Sequence, residues 1–399
     1  MNEVTQPGRG RRVLGLATAM IVALAAFLVF APLASAASDP LAGGTTTIEV
    51  GKGFGNKLSK SGVKLLGVKP ATVKKGSDIG LPVSSGAIDP LTGQGTVVHA
   101  GGFKFKRGKK TAPVSELVLE AGAKSLLAKV AGKKMKFASA DGVSVTRDGF
   151  GTNLVIGKLK LTSKAAKALN LKLGFPSKNP KGKAKGKASA SKGPQAAPFK
   201  GNQTIGGAVS DTEPATVSVV ATGVAQLLAT KADLESSFKV AEVRPLMIAP
   251  ATIGAGEPPP LFFPIVSGTV ATSGLTGTIQ TAGAVAFGQE PEGGLQIAVA
   301  FDSIEVDLTT KTAMAQLHVE SNDQEKAPTP GALGKQVMGD LDFSAGVVRT
   351  NPVARTVTIE NVATRIRADL ASLMNTTYKK EAFEAGDSLG AFTITVQTQ

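Results

Sequence analysis

Two stretches decide how this chain reads: PVSSGAIDPLTGQGTVVHAGGFKF (Pro82–Phe105) and PIVSGTVATSGLTGTIQTAGAVAF (Pro264–Phe287). They align without a gap at an offset of 182 residues. Pro82, Ser85, Gly86, Gly95, Thr96, Ala100, Gly101 and Phe105 each meet an identical residue. The segments that follow keep the same order in both halves. SELVLE (Ser115–Glu120) and KSLLAKV (Lys124–Val130) answer to DSIEVD (Asp302–Asp307) and KTAMAQL (Lys311–Leu317). MKF (Met135–Phe137) answers to LDF (Leu341–Phe343). Each half then has a helical patch, TSKAAKALN (Thr162–Asn170) or RADLASLMN (Arg367–Asn375), with Thr162 or Ser163 placed to cap the first. A last strand closes each half, in FKGNQTIGGAVS (Phe199–Ser210) and FEAGDSLGAFTITV (Phe383–Val396). The chain therefore reads as a diverged tandem repeat, with copies at 45–210 and 215–399.

The repeat is strand-rich. FKFKRG, KKMKF and GKLKLT alternate apolar residues with lysine, and VAFDSIEVDL alternates similarly, as half-buried antiparallel strands do. The chain has 47 glycines, no Trp and one Tyr, so the cores must be built from Val, Leu, Ile, Ala and Phe. The expected fold is mainly β: two tandem β-sandwich or open-barrel-like repeats, each with one or two short helices.

Outside the repeats, Arg9, Arg11 and Arg12 precede an apolar run from Val13 to Ala31, followed by Ala34-Ser35-Ala36. This pattern reads as a signal peptide over residues 1–36, with a retained membrane anchor as the alternative. The expected location is secreted or extracytoplasmic, at the cell envelope. Without cysteine the chain has no disulfide framework, no thiol catalysis and no thiolate metal site. The tract SKNPKGKAKGKASASKGPQ (Ser177–Gln195) has no residues to build a core, and is expected to be a disordered, lysine-rich insertion in the first repeat.

Charge divides the chain. Residues 45–200 hold 30 Lys and Arg against 7 Asp and Glu, whereas residues 201–399 hold 12 against 21. Alternation places Lys104 with Lys106, Lys134 with Lys136, and Lys158 with Lys160 on one face of their strands. Such a lysine face serves solubility and edge protection, meets an anionic envelope polymer or membrane surface, or docks on the acidic second repeat. Lysine is a hydrated point charge rather than a bidentate reader. With so few aromatics to stack bases, specific nucleic-acid binding is not expected.

Residues for chemistry are few. The chain has two histidines, His99 and His318, and one tyrosine, Tyr378. A metal site needs several converging ligands, which two distant histidines do not supply. A haem needs only one or two axial ligands, which any of the three could provide; each also reads as an ordinary surface or turn residue. His99 precedes Ala100-Gly101-Gly102, where glycines would let a flat ligand approach the backbone. No nucleophile elbow or Walker loop is present, and no enzymatic activity is expected.

SGAIDPLTGQGTVVHAGGFKF, followed by VSELVLE and LLAKV, resembles the HtaA-type domain of actinobacterial secreted and cell-surface proteins. PIVSGTVATSGLTGTIQTAGAVAF resembles it more faintly. The resemblance implies a β-rich domain that binds haem, with His99 in the family's histidine-containing turn as the ligand. The family's aromatic N-terminal motif is missing, because TTTIEVGKGFGNKL has neither Trp nor Tyr. An adhesive envelope protein that binds anionic polymers through its lysines is the alternative expectation.

Overall fold

A computed structural model describes residues 38–74, 78–175, 196–229, 232, 237–272, 276–289, 297–321 and 331–399. The segment read as a signal peptide and the lysine-rich insertion lie outside these residues.

The first half holds strands β1 (Asp39–Val50), β2 (Lys64–Val68), β3 (Thr72–Lys74), β4 (Asp78–Ile88), β5 (Gly95–His99) and β6 (Gly102–Arg107). It continues with β7 (Lys110–Glu120), β8 (Ser125–Val130), β9 (Lys133–Asp148), β10 (Gly151–Leu161) and β11 (Gln203–Pro214). Helix α1 (Lys52–Lys60) follows β1, and α2 (Ser163–Lys172) follows β10. Strands pair antiparallel in the order β7-β5-β4-β1-β11-β10-β9-β8, and β8 pairs back onto β7. The sheet therefore closes into a barrel, with β6 and β2 flanking β7 and β3 flanking β4.

The second half repeats this. Its strands are β12 (Thr216–Leu228), β13 (Val243–Ile248), β14 (Thr252–Ile253), β15 (Leu261–Ala271), β16 (Gly277–Thr281) and β17 (Ala284–Gln289). Then come β18 (Ile297–Asp307), β19 (Thr312–Ser321), β20 (Gly331–Asp342), β21 (Val347–Asn351), β22 (Thr356–Ile366) and β23 (Ser388–Thr398), with α3 (Ala368–Tyr378) before the last. The order β18-β16-β15-β12-β23-β22-β20-β19 again closes, here through β18–β19. The mainly β architecture is as the alternation implied, and closure leaves each barrel without an open edge in its main sheet.

Closure depends on a shared bulge. In β7 the ladder slips between Ser115 and Val118, where Glu116 takes a φ of 52°. One edge of β7 pairs with β6 before the slip and with β5 after it. In β18 the slip falls between Asp302 and Glu305, with Ser303 at 53°. Bulges bend and twist a strand, which is what a barrel corner needs. Gly101 has a φ of 77°, and a Cβ there would lie 2.7 Å from both Ala71 N and Val68 O. Gly283 repeats this at 87°, where a Cβ would strike Ala251. These glycines admit the chain's own backbone rather than a ligand.

The helical patches clamp the closing strands. Asn170 Nδ2 donates to Phe199 O at 2.8 Å, and Asn375 Nδ2 donates to Phe383 O at the same distance. Thr162 caps α2 by accepting from Ala165 N at 3.2 Å, while α3 begins at Arg367 with no side-chain cap.

The two halves touch. The β9–β10 turn sends Phe150 into the hydrophobic core of the second barrel, where it is 8% exposed. A Cβ on neighbouring Gly149 would lie 3.0 Å from Pro352 Cβ. Asp39 Oδ1 accepts from Ser218 N and Ser218 Oγ, both at 2.9 Å, and burial pushes the Asp39 carboxyl above its ordinary pKa.

Candidate functional site

His99 ends β5 on the inward face, with Val97 one alternation before it; both are buried. Its Nδ1 lies 3.2 Å from Leu117 O, and its Nε2 lies 2.7 Å from Thr46 Oγ1. The carbonyl can only accept, so Nδ1 carries a proton. Burial lowers the imidazole pKa to about 4, against the opposing hydrogen bond to Leu117, so the ring is neutral at pH 7. Nε2 then accepts the Thr46 proton. Thr46 Oγ1 accepts in turn from Ser210 Oγ, 2.7 Å away and fully buried. Every polar atom of the imidazole is satisfied inside the barrel. The nitrogen lone pair an iron would need is already engaged by Thr46, and the expected role of His99 as haem ligand meets that obstacle.

The six lysines lie in one sheet, on β6, β9 and β10, with β7 and β8 between β6 and β9. Lys106, Lys134, Lys136 and Lys158 are exposed; Lys104 and Lys160 are half-buried. Two of the six pair with carboxylates: Lys134 with Glu116 at 3.4 Å and Lys160 with Asp141 at 2.6 Å. Lys106 stands in register with Lys64, and Lys134 with Lys129, so like charges face each other along this surface. Strands β1 and β10 both run antiparallel to β11, so α1 and α2 leave the barrel at one end. That end carries exposed Lys52, Lys57, Lys60, Lys164, Lys167 and Lys172.

The second barrel holds a cavity that sequence reasoning missed. It measures about 370 Å³, within the ~300–1,000 Å³ range of small-molecule sites. Leu227, Leu261, Phe287 and Leu389 come from four barrel and flanking strands, Phe238 stands before β13, and Pro258 and Pro259 close one side. Among the described residues, Lys239 and Arg244 are the charged ones lining it, and both are exposed. Phe238 stacks on Phe287 with centroids 4.9 Å apart and meets Phe383 edge-on at 5.8 Å. In the first barrel Phe54 of α1 rests on the corresponding pair, Phe105 at 6.5 Å and Phe199 at 6.0 Å. The signals available in sequence were the EPPP run at 257–260 and the recurrence of Phe105 and Phe199 as Phe287 and Phe383.

The fit of a haem to this cavity is divided. Apolar walls suit the face of a macrocycle, and two cations suit its carboxylates. None of the lining residues is a His, Tyr, Met or Cys, the side chains that hold haem iron. Tyr378 lies behind the wall: its hydroxyl donates to Phe287 O at 2.5 Å and accepts from Val299 N at 3.3 Å. Burial raises its phenol pKa well above the ordinary value. His318 sits half-buried on β19, in register with Ala300 and Ala332. Among the described residues no group of three or more His, Cys, Asp and Glu is placed to hold a metal ion.

The HtaA family model matches residues 254–389, within the second half. The first half, outside that match, has the same strand order and closure. Among solved structures the chain is similar to the C-terminal domain of HtaA from Corynebacterium glutamicum. That likeness is 17% identical with a TM-score of 0.34, over 46% of this chain and 99% of that one. The N-terminal domain of the same HtaA is 15% identical with a TM-score of 0.28, over 45% of this chain and 99% of that one. The haem-binding protein HtaB from the same organism is 11% identical with a TM-score of 0.29, over 46% of this chain and 95% of that one. No curated protein matches the chain. Among the described residues no helix is long and apolar enough to cross a membrane.

Proposed function

We propose that this is an exported cell-envelope binding protein of the HtaA type that takes haem, and that the second barrel holds it. The observation that carries this reading is the apolar cavity rimmed by Lys239 and Arg244, partly built from the segment that matches the HtaA family. Burial of the macrocycle supplies the affinity, and the two cations set its orientation by pairing with the carboxylates at the mouth. The protein binds and passes on its ligand and performs no chemistry on it. His99 serves the first barrel as a core residue in this reading. The test is a haemin titration of the protein, followed by absorbance. One equivalent should bind saturably, His99→Ala should leave the affinity unchanged where the fold survives, and Ala229→Trp, which fills the cavity, should abolish binding. Binding that survives Ala229→Trp and fails in His99→Ala would move the site to the first barrel.

A second reading rests on a separate observation, the lysines gathered on β6, β9 and β10 and at the helix-capped end of the first barrel. We propose that this surface holds the protein against anionic envelope polymers while the acidic second half stays clear of them.

A further inference from the structure

Helices α1 and α2 cap one end of the first barrel, and each turns a lysine-bearing face to solvent. On α2 the inner face is Ala165, Ala166 and Leu169, all buried. Lys164, Lys167 and Leu171 follow at helical spacing, so one outward face carries all three. Leu171 is a large apolar side chain, yet it is 70% exposed. On α1, Phe54 and Leu58 face inward, while Lys52, Lys57 and Lys60 are exposed. Neither helix contains an acidic residue.

The β6–β7 turn extends this surface. Arg107 holds it to the end of α2: its guanidinium carbon lies 4.0 Å from the centre of the Phe175 ring, and its Nη1 donates to Leu173 O at 3.3 Å. A Cβ on Gly174 would strike Lys110 Nζ, so exposed Lys110, with exposed Lys109 beside it, adjoins the same helix end. Ser61 Oγ, at the end of α1, donates to Ala196 O at 3.4 Å. The described residues on either side of the lysine-rich insertion, Phe175 and Ala196, therefore both sit at this end of the barrel.

We infer that this helix-capped end is a docking surface for an anionic lipid bilayer, with its lysines on the headgroup phosphates and the Leu171 side chain below them among the acyl chains. The inference rests on the second reading given above and divides its surface: the helix end goes to lipid, and the sheet face of Lys106 and Lys136 stays with polymer. Charge alone does not choose between the two partners, because a lysine meets a phosphate on either as a point charge. Leu171 does choose. A soluble polyanion offers nothing to an apolar side chain, whereas a bilayer takes it out of water. Lysines beside an exposed apolar residue suit a helix that lies in the interface plane, the stems reaching up to phosphate level while the apolar side chain points down. Each lysine held near an anionic leaflet strengthens binding about fivefold.

The chain has no tryptophan, so Leu171→Trp supplies a single indole whose emission wavelength reports its surroundings. The position is exposed, and the substitution leaves the core alone. This variant is titrated with vesicles of phosphatidylglycerol and phosphatidylcholine, with vesicles of phosphatidylcholine alone, and with soluble polyphosphate. Emission should move to shorter wavelength on the anionic vesicles and stay at its solvent position with the other two. Adding Lys164→Gln and Lys167→Gln should raise the anionic lipid needed for half the shift ~25-fold, and salt should raise it further. The apolar run from Val13 to Ala31 is common to every variant, so the loss on removing two lysines isolates the helix end. An indole that keeps its solvent wavelength on anionic vesicles, or shifts as far on neutral ones, would overturn the inference. A midpoint indifferent to the two lysines would do the same. In any of these cases salt-sensitive binding of polyphosphate would leave the polymer reading standing, and no binding of polyphosphate would remove both. A shift on anionic vesicles without affinity for polyphosphate would sustain the lipid inference and remove the polymer reading.

Discussion

At the place where the first barrel carries His99, the second carries Thr281, and the two side chains reach for the same carbonyl. His99 Nδ1 bonds Leu117 O, and Thr281 Oγ1 donates to Ile304 O at 3.0 Å. Behind them the barrels part company. Strand register puts Ala225 where the first barrel has Thr46, and Ile394 where it has Ser210. One barrel interior is crossed by three linked polar side chains, and the other keeps only Thr281 and is apolar at the two positions behind it. The backbone tolerates both fillings because neither leaves a buried polar atom unmatched at this point. The lone histidine of the first half thus reports on core composition before it reports on ligands.

The largest test of the comparison concerns where each core ends. Phe150 belongs by sequence to the β9–β10 turn of the first half and by packing to the second core. Phe150→Ala should cost about 3–4 kcal/mol, the range for an aromatic removed from a packed interior. The loss should appear in hydrogen exchange of the second barrel's amides, with the β9 and β10 ladder little changed. Loss of protection confined to β9 and β10 would show that the halves are energetically separate and that the contact is incidental.

The polar chain gives the next effect, in the first barrel only. The unfolded imidazole titrates near 6.5 and the folded one at about 4, so the unfolded chain holds the extra proton between those values. The stability tied to a neutral His99 is therefore complete above pH 6.5 and is lost as pH falls through 4, about 3 kcal/mol in all. Replacing Thr46, His99 and Ser210 together by the second barrel's set, Ala, Thr and Ile, should remove that acid sensitivity from the amides of β5. Thr46→Ala alone should cost about 2 kcal/mol at pH 7, because it strands Nε2 and the Ser210 hydroxyl. Equal acid sensitivity in the parent and the triple replacement would sink this account of the network.

Alternation and the internal repeat carry most of the architecture in plain sight. FKFKRG and GKLKLT are outward-and-inward strands, and Asn170 and Asn375 end their helices in equivalent places because both clamp the phenylalanine that leads into the last strand. The closure of each sheet is not written in any local pattern. It depends on the distant pairings of β1 with β11 and of β12 with β23, and on a left-handed residue at Glu116 and Ser303, where no glycine marks the bulge. The site was less legible still. His99 drew notice as a rare residue beside glycines, yet Thr46 and Ser210, which engage its Nε2 and complete the chain, lie 53 and 111 positions away and look like ordinary strand residues. The cavity is assembled from common apolar residues on several strands, and only folding gives them a shared surface.

The smallest effect on the fold, and the one that separates the halves by surface rather than by core, concerns the lysines. Lys106 and Lys136 are exposed, and the ion pairs of this face are made by Lys134 and Lys160, so reversing the first two should leave the barrel's stability nearly unchanged. Their effect should be confined to association. If the first barrel meets a polyanion through this face, binding to immobilised polyphosphate should fall steeply with salt, because each lysine–phosphate contact releases a condensed counterion. Lys106→Glu with Lys136→Glu should then flatten the slope of log affinity against log salt by about two. Reversing Lys335 and Lys380 in the acidic half should do nothing to it, since both already pair with carboxylates, Glu305 at 2.8 Å and Glu242 at 3.6 Å. A slope that ignores the first pair, or responds equally to the second, would mean that the charge contrast between the halves reflects solubility and edge protection rather than a binding face.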